Sequence, residues 1–245
     1  MSIEELIRRK LLKRKHLLFV LLDAEVQTDL RSTIKNIESC DVDAYLVGGS
    51  TIADQITLDH TIKYLKEITS LPVILFPGNI TGISRRADAI LFSSLLNSED
   101  PYFIIGVQAL AAPTIRRFNL EAIPMGYMII GTGQTAGFVG RARSFPPEKP
   151  ELVASYALAA HYLGMRYVYL EAGSGAKQPV SPKIVKYVRS VFPGKLMVGG
   201  GIKSLKIASQ LVEEGADILV IGNLIYEPHF EVTLKNISKQ IHKDS

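Results

Sequence analysis

The chain has 245 residues, 47% of them apolar and 21% charged, with a formal net charge of +4 and one cysteine, Cys40. That length admits one large α/β domain or two small ones, and the composition is that of a globular protein able to fill a large core. A lone cysteine excludes an internal disulfide framework and a multi-cysteine zinc site and fits a reducing, cytoplasmic setting; no apolar run reaches the ~18 residues of a membrane span, and the start is not that of a signal peptide.

The first element is a leading helix that carries much of the basic excess, Arg8-Arg9-Lys10 and Lys13-Arg14-Lys15. No basic stripe interleaved with aromatics follows it, so nucleic acid is not the expected partner. The charge suits a protein that handles anionic small molecules and makes peripheral contact with an anionic membrane.

From there one pattern recurs: a strand-like apolar run, a polar or glycine-rich end, then a helical segment. The runs are 17–22, 44–47, 73–76, 89–92, 122–130, 167–170, 196–198 and 218–221, with helical patterns between most of them, as over 58–68, 151–163, 182–191 and 204–214. The last of these stops at Gly215, as a glycine just past a helix end does. The runs lack strict polar alternation, as parallel strands covered on both faces do. A doubly wound open sheet competes, but eight strand–helix units favour a (β/α)8 TIM barrel. It would be a single domain over 1–245, with the short N-terminal helix in front.

In such a barrel the active site forms at the carboxyl ends of the strands. Those ends are Asp23-Ala24-Glu25, Gly48-Gly49-Ser50-Thr51, Pro77-Gly78-Asn79, Ser93-Ser94, Glu171-Ala172-Gly173-Ser174-Gly175, Gly199-Gly200-Gly201 and Gly222-Asn223, most of them small, acidic or glycine-rich. Glycines let backbone N–H groups approach phosphate oxygens, and phosphates commonly bind after strands seven and eight. The bland reading is that the glycines only make tight turns. Asp23 is a candidate Mg2+ ligand or base, since Mg2+ takes one or two protein carboxylates and fills its shell with water and phosphate oxygens; the alternative is a helix N-cap. Glu171 is a candidate to bind or deprotonate a substrate hydroxyl, with Tyr169 beside it, against an ion pair within the barrel. Gly131-Thr132-Gly133-Gln134-Thr135-Ala136-Gly137 has the wrong spacing for a dinucleotide fingerprint and leads toward Phe145-Pro146-Pro147 rather than straight into a helix. The five histidines lack ligand spacing, and Cys40 reads as a buried structural thiol.

These segments resemble the geranylgeranylglyceryl phosphate synthases. The residues that carry the likeness are "YLEAGSGA", "VGGGI", "IGN", "LVGGST", "ILFPGNITGIS", "SLLNSEDPYFIIGVQAL" and "EAIPMGYMIIGTG", from about Leu17 to Asn223. The resemblance implies a barrel that joins sn-glycerol 1-phosphate to geranylgeranyl diphosphate with Mg2+, in archaeal-type ether-lipid synthesis. It also implies a homo-oligomer. Carried over by position, Asp23 and Ser50 match the magnesium pattern; Tyr169, Leu170, Glu171, Ala172, Gly173, Ser174 and Gly175 match the glycerol phosphate segment; Gly200, Gly201, Gly222 and Asn223 complete the phosphate pocket. Glu171 and Tyr169 are then the candidate catalytic pair.

Two positions depart from the family pattern: Ala24 stands where a proline is usual, and Leu21 where another branch has a lysine. The prenyl tail requires an apolar groove, and 101–105 is a candidate wall, equally readable as the inner face of a helix. Phe138 is a candidate contact between copies, or folds back on its own core. The competing functions are the same transfer with a longer donor, as in heptaprenylglyceryl phosphate synthases, a phosphosugar isomerase or aldolase, and a non-catalytic phosphate-binding barrel. An aldolase would want a lysine at a strand end, and these ends have none.

Overall fold

Each apolar run becomes a strand with apolar surroundings on both faces. The computed structural model describes residues 1–24, 30–49, 55–146 and 148–242. Strands β1 (Leu17–Leu22), β2 (Ala44–Val47), β3 (Val73–Leu75), β4 (Ala89–Leu95), β5 (Glu121–Ile129), β6 (Tyr167–Glu171), β7 (Lys195–Gly199) and β8 (Ile218–Ile221) pair in parallel in chain order, and β8 closes onto β1. The result is a closed (β/α)8-type barrel.

Period-two alternation sorts the strand residues. Leu17, Phe19, Leu46, Ile74, Leu91, Met125, Tyr169, Met197 and Val220 form one cluster that fills the barrel, while Leu18, Val20, Val47, Leu75, Val168, Leu170, Val198 and Leu219 join a second cluster beneath the surrounding helices. Ile7 and Leu11 of α1 (Ile3–Arg14) belong to the interior cluster, so this helix plugs the amino-terminal mouth. Its first turn is held by Glu121, whose carboxylate accepts from the N–H groups of Ile3 and Glu4 at 2.5 and 2.9 Å. Much of the basic excess is matched here: Arg8 and Arg9 pair with Glu5, and Lys10 and Arg14 reach the buried carboxylate of Asp43 at 3.2 and 3.1 Å.

The outer shell contains α2 (Leu30–Glu38), α3 (Gln55–Ile68), α4 (Val107–Phe118), α5 (Gln134–Val139), α6 (Pro150–Tyr162), α7 (Pro182–Val191), α8 (Leu205–Glu213) and α9 (Phe230–Ile241). Helices lie between most of the strands, as expected, and the exception is the connection between β3 and β4. That connection holds only a 3-10 turn, Ile80–Gly82, capped by Asn79, whose side chain accepts from the Thr81 N–H at 2.8 Å. Pro77, Gly78 and Asn79 offer no apolar face to dock, so the outer side of β4 lacks a covering helix there.

Two strand-end readings are also corrected. β4 runs on through Ser93 and Ser94, and the Ser94 hydroxyl donates to the Ile104 carbonyl at 2.6 Å, which ties the strand to a π-helical turn, Tyr102–Gly106, ahead of α4. The glycine-rich segment after β5 does enter a helix at once, the six-residue α5, which Gly137 within it and its short length concealed. Cys40 is buried, as expected. No helix among the described residues is long and apolar enough to cross a membrane.

Candidate active site

Two cavities meet at the carboxyl-terminal mouth of the barrel. The first is polar and lined by Asp23, Gly48, Gly49, Thr135, Tyr169, Glu171, Ser174, Gly175, Gly200, Gly201, Lys203, Gly222, Asn223 and Tyr226, among others. The second is an apolar groove that leads away along the outer side of β4, between the Ile80–Gly82 turn and α4. Its walls include Phe76, Pro77 and Ile83 on one side and Phe103, Val107, Ala111 and Ile115 on the other. Leu21, Gly49, Glu171 and Ser174 line both, so they mark the junction.

Glu171 reaches that junction because it is the third residue on the inward-facing register 167, 169, 171 of β6. It is buried, yet both carboxylate oxygens are held: Oε2 accepts from the Tyr169 hydroxyl at 2.7 Å and Oε1 from the Gly173 N–H at 2.6 Å. Burial pushes the carboxyl above its ordinary range, and these two hydrogen bonds only partly offset it. Tyr169 is pushed well above the usual phenol range, first by its own burial and then by the Glu171 charge, so it stays protonated and acts as a donor. Phe76 and Tyr127 pack on the Tyr169 ring at 5.3 and 5.5 Å between centroids, completing an aromatic layer below the junction.

The phosphate candidates converge. Gly200 adopts φ +80°, and a Cβ there would lie 2.3 Å from Glu171 Oε1 and 2.8 Å from the Gly173 nitrogen, so only glycine lets the loop after β7 pass this close to β6. Gly201 lines the same cavity. After β8, Gly222 leads into a 3-10 turn, Asn223–Tyr226. Asn223 Oδ1 accepts from the Ser174 hydroxyl at 2.7 Å and the Gly175 N–H at 3.0 Å, which joins the loops after β6 and β8.

The other sequence candidates fall elsewhere. Leu170 and Ala172 lie in the cluster beneath the helices and line neither cavity. Gly173 contributes its N–H to Glu171 rather than a cavity surface. Ser50 lies outside the described residues. Asp23 directly follows β1 and lines the polar cavity; its N–H donates to the Tyr226 hydroxyl at 3.2 Å. Its carboxylate leans over Gly49, where a Cβ would come within 3.0–3.2 Å of the carboxylate atoms. A hard oxygen donor facing a glycine-lined polar cavity fits Mg2+. Among the described residues no group of three His, Cys, Asp or Glu is placed to hold a metal ion.

Sequence reasoning gave no role to Tyr226 or to Lys203, which lines the cavity and pairs with Glu227 at 3.0 Å. Lys203 stands two residues after the glycine run and was findable on that ground. Of the segment 101–105, Phe103 lines the groove, whereas Ile105 is 63% exposed. Phe138 does not fold back; it is 88% exposed. Ala24 is buried among the shell residues, and Leu21 lines both cavities where a lysine would have brought charge.

Comparison with known proteins agrees with this geometry. The chain is 51% identical over 244 residues to geranylgeranylglyceryl phosphate synthase of Nitrosopumilus maritimus, covering 99% of this chain and 98% of that one. The crystal structure of (S)-3-O-geranylgeranylglyceryl phosphate synthase from Thermoplasma acidophilum in complex with sn-glycerol-1-phosphate superposes with a TM-score of 0.94 at 35% identity, covering 99% of both chains. The wild-type enzyme of Thermoplasma volcanium gives a TM-score of 0.93 at 40% identity over 99% of this chain and 98% of that one. The PcrB family model matches residues 9–241, and the chain therefore belongs to the PcrB family.

Proposed function

We propose that this chain is a prenyltransferase that joins sn-glycerol 1-phosphate to geranylgeranyl diphosphate, giving 3-O-geranylgeranylglyceryl phosphate and diphosphate for ether-lipid synthesis. The observation that carries this reading is the meeting of a glycine-lined cavity bearing polar groups and an apolar groove at one buried carboxylate, Glu171. A polar acceptor and an isoprenoid donor would present their reacting ends there.

The glycerol phosphate head is read into the loops at Gly200-Gly201, Gly222-Asn223 and Ser174-Gly175, with Lys203 adding positive charge at the rim. Its C3 hydroxyl then points toward Glu171, and the isoprenoid chain lies along Phe103, Val107, Ile83 and Ile115. Burial of that chain at ~0.8 kcal/mol per CH2 would supply most of the donor's affinity. The hydroxyl oxygen bonds to C1 of the donor, the C1–O bond to diphosphate breaks with its electron pair leaving on diphosphate, and the hydroxyl proton passes to Glu171. A carboxylate whose proton affinity is raised by burial suits that acceptance. Tyr169 and the Gly173 N–H fix its orientation. Asp23, with Ser50, would hold Mg2+, which when bound neutralises charge on the diphosphate leaving group.

Self-association is part of the same reading. Leu152, Tyr156, Tyr162 and Leu163 leave an apolar surface on and just beyond α6, suited to a second copy of the chain. The free thiol of Cys40 accords with a cytoplasmic site of action, and the lipid donor calls for peripheral contact with a membrane.

The direct test incubates purified protein with labelled sn-glycerol 1-phosphate and donors of increasing length, with and without Mg2+, and extracts the product into organic solvent. Metal-dependent ether formation selective for the sn-1 enantiomer is expected, fastest with the geranylgeranyl donor. Binding of glycerol phosphate with no product from any donor would leave a non-catalytic barrel.

A further inference from the structure

The two walls of the apolar groove share a charge pattern that groove-building does not require. One wall, residues 76–87, and the other, residues 101–120, contain Arg85, Arg86, Arg116 and Arg117 and no acidic residue. All four arginines are exposed. The outer face of the second wall is apolar as well as its inner face: Leu110 is 59% exposed and Ile105 63%, and Ala109, Ala112 and Pro113 extend that face to the arginine pair. Across the groove, Phe138 and Val139 of α5 are exposed too, and Val139 also lines the groove. The carboxylates flanking these walls are engaged elsewhere: Asp88 with Lys66, Asp59 with the Ser84 hydroxyl, Glu121 with the first turn of α1, and Asp100 and Glu99 with Arg141 and Arg143 at 3.4 and 4.0 Å.

We infer that the outward face of α4, with the rim at Phe138, is a docking surface for an anionic phospholipid bilayer, through which the isoprenoid donor passes into the groove. This deepens the prenyltransferase reading and rests on it for the identity of the donor. Exposed aliphatic and aromatic side chains enter the headgroup boundary, while arginines at the end of the same face meet lipid phosphates. Charge decides the occupant. A two-fold pairing of this face would bring four arginines from each copy to one seam, with no carboxylate on either groove wall to answer them. The anionic bilayer supplies those countercharges.

The test is sedimentation of the whole protein with vesicles of phosphatidylcholine alone and of phosphatidylcholine with 30% phosphatidylglycerol (about one third anionic lipid), without prenyl donor. Binding to the anionic vesicles at least tenfold above the neutral ones is expected, and it should fall in high salt. Arg116→Gln/Arg117→Gln should lower binding by about fivefold for each charge removed. Leu110→Ser should lower it with both lipids. Turnover with donor dispersed in detergent should be unchanged in the arginine variant, which separates docking from catalysis. Equal binding to both vesicle types, or undiminished binding by the variants, overturns the inference. So does loss of self-association on Leu110→Ser in sedimentation velocity, which would assign the face to a second copy. No turnover even in detergent, with vesicle binding intact, would instead overturn the enzyme reading and leave the docking surface standing.

Discussion

The Tyr169 hydroxyl donates to Glu171 Oε2 at 2.7 Å inside a fully buried layer, two residues apart on one strand. One partner cannot lose its proton and the other holds its proton more tightly than usual, so the pair behaves as a fixed donor and a poised acceptor. Tyr169→Phe keeps the ring packing but removes one stabiliser of the carboxylate. The acid limb of kcat/KM should move to higher pH, with about 1–3 kcal/mol lost in stability. A pH–rate profile and thermal melts of both proteins check this, and an unmoved acid limb would contradict it.

Glu171→Gln should lower kcat by about 100-fold or more while leaving glycerol phosphate binding within a few fold. The sign on stability is also defined. A carboxyl whose folded pKa is raised costs stability as pH rises from its unfolded value through its folded one, because the native state then holds the extra proton. The Gln variant lacks that slope, so its melting temperature should depend less on pH across this interval. Differential scanning calorimetry at a series of pH values would show parallel curves if Glu171 titrated as an ordinary carboxyl.

Gly200→Ala and Gly131→Ala make an instructive pair. Both glycines have positive φ, +80° and +70°, but a Cβ at Gly131 meets nothing within 4 Å, whereas at Gly200 it strikes Glu171 and the Ala172 and Gly173 nitrogens. Gly131→Ala should cost only about 1 kcal/mol of backbone strain. Gly200→Ala should abolish turnover and glycerol phosphate binding as well, measurable by calorimetric titration.

Asn223→Ala removes the acceptor that ties Ser174 and Gly175 to the loop after β8. KM for glycerol phosphate is expected to rise several-fold with kcat less affected, since one exposed hydrogen-bond junction is worth about 1 kcal/mol. Steady-state kinetics in the two substrates separately would reveal the split.

At the opposite mouth, Asp43 is expected to govern acid stability. Burial alone would raise its carboxyl, but hydrogen bonds from His242 and the Leu18 N–H, with the Lys10 charge, outweigh that and hold it below the ordinary range. A depressed carboxyl contributes stability above its unfolded pKa and loses it as pH falls through the folded value. Asp43→Ala should cost about 2–3 kcal/mol, less than the ~3–5 of a wholly buried pair because Lys10 and Arg14 reach solvent. The difference from wild type should vanish in strong acid.

The strands were legible because both faces of each are apolar, which leaves uninterrupted runs such as 17–22 and 218–221. The convergence of the loops after β7 and β8 on one cavity was legible because glycines follow both runs, Gly199-Gly200-Gly201 and Gly222. What misled was treating a contiguous motif as a contiguous surface. Strand alternation sends Tyr169 and Glu171 inward but Leu170 outward, so a motif of seven residues cannot all face one ligand. Ser94 looked like a mouth residue because polarity was taken as the strand's end, whereas its hydroxyl is satisfied by the Ile104 carbonyl of a neighbouring turn. Tyr226 was invisible because its contact with Asp23 joins residues 203 positions apart.

The connection between β3 and β4 carries one consequence for how the molecule is completed. Among the described residues each other strand is followed by an α-helix, but after β3 that piece is replaced by a short turn. An isoprenoid chain bound as proposed would act as a removable part of the protein's own interior, taking the seat that a helix side would have filled. Such a guest contributes to the fold itself: a non-reactive isoprenoid should raise the unfolding temperature in proportion to its occupancy and its length. The enzyme would be at its most rigid when loaded, and it would loosen each time the product leaves.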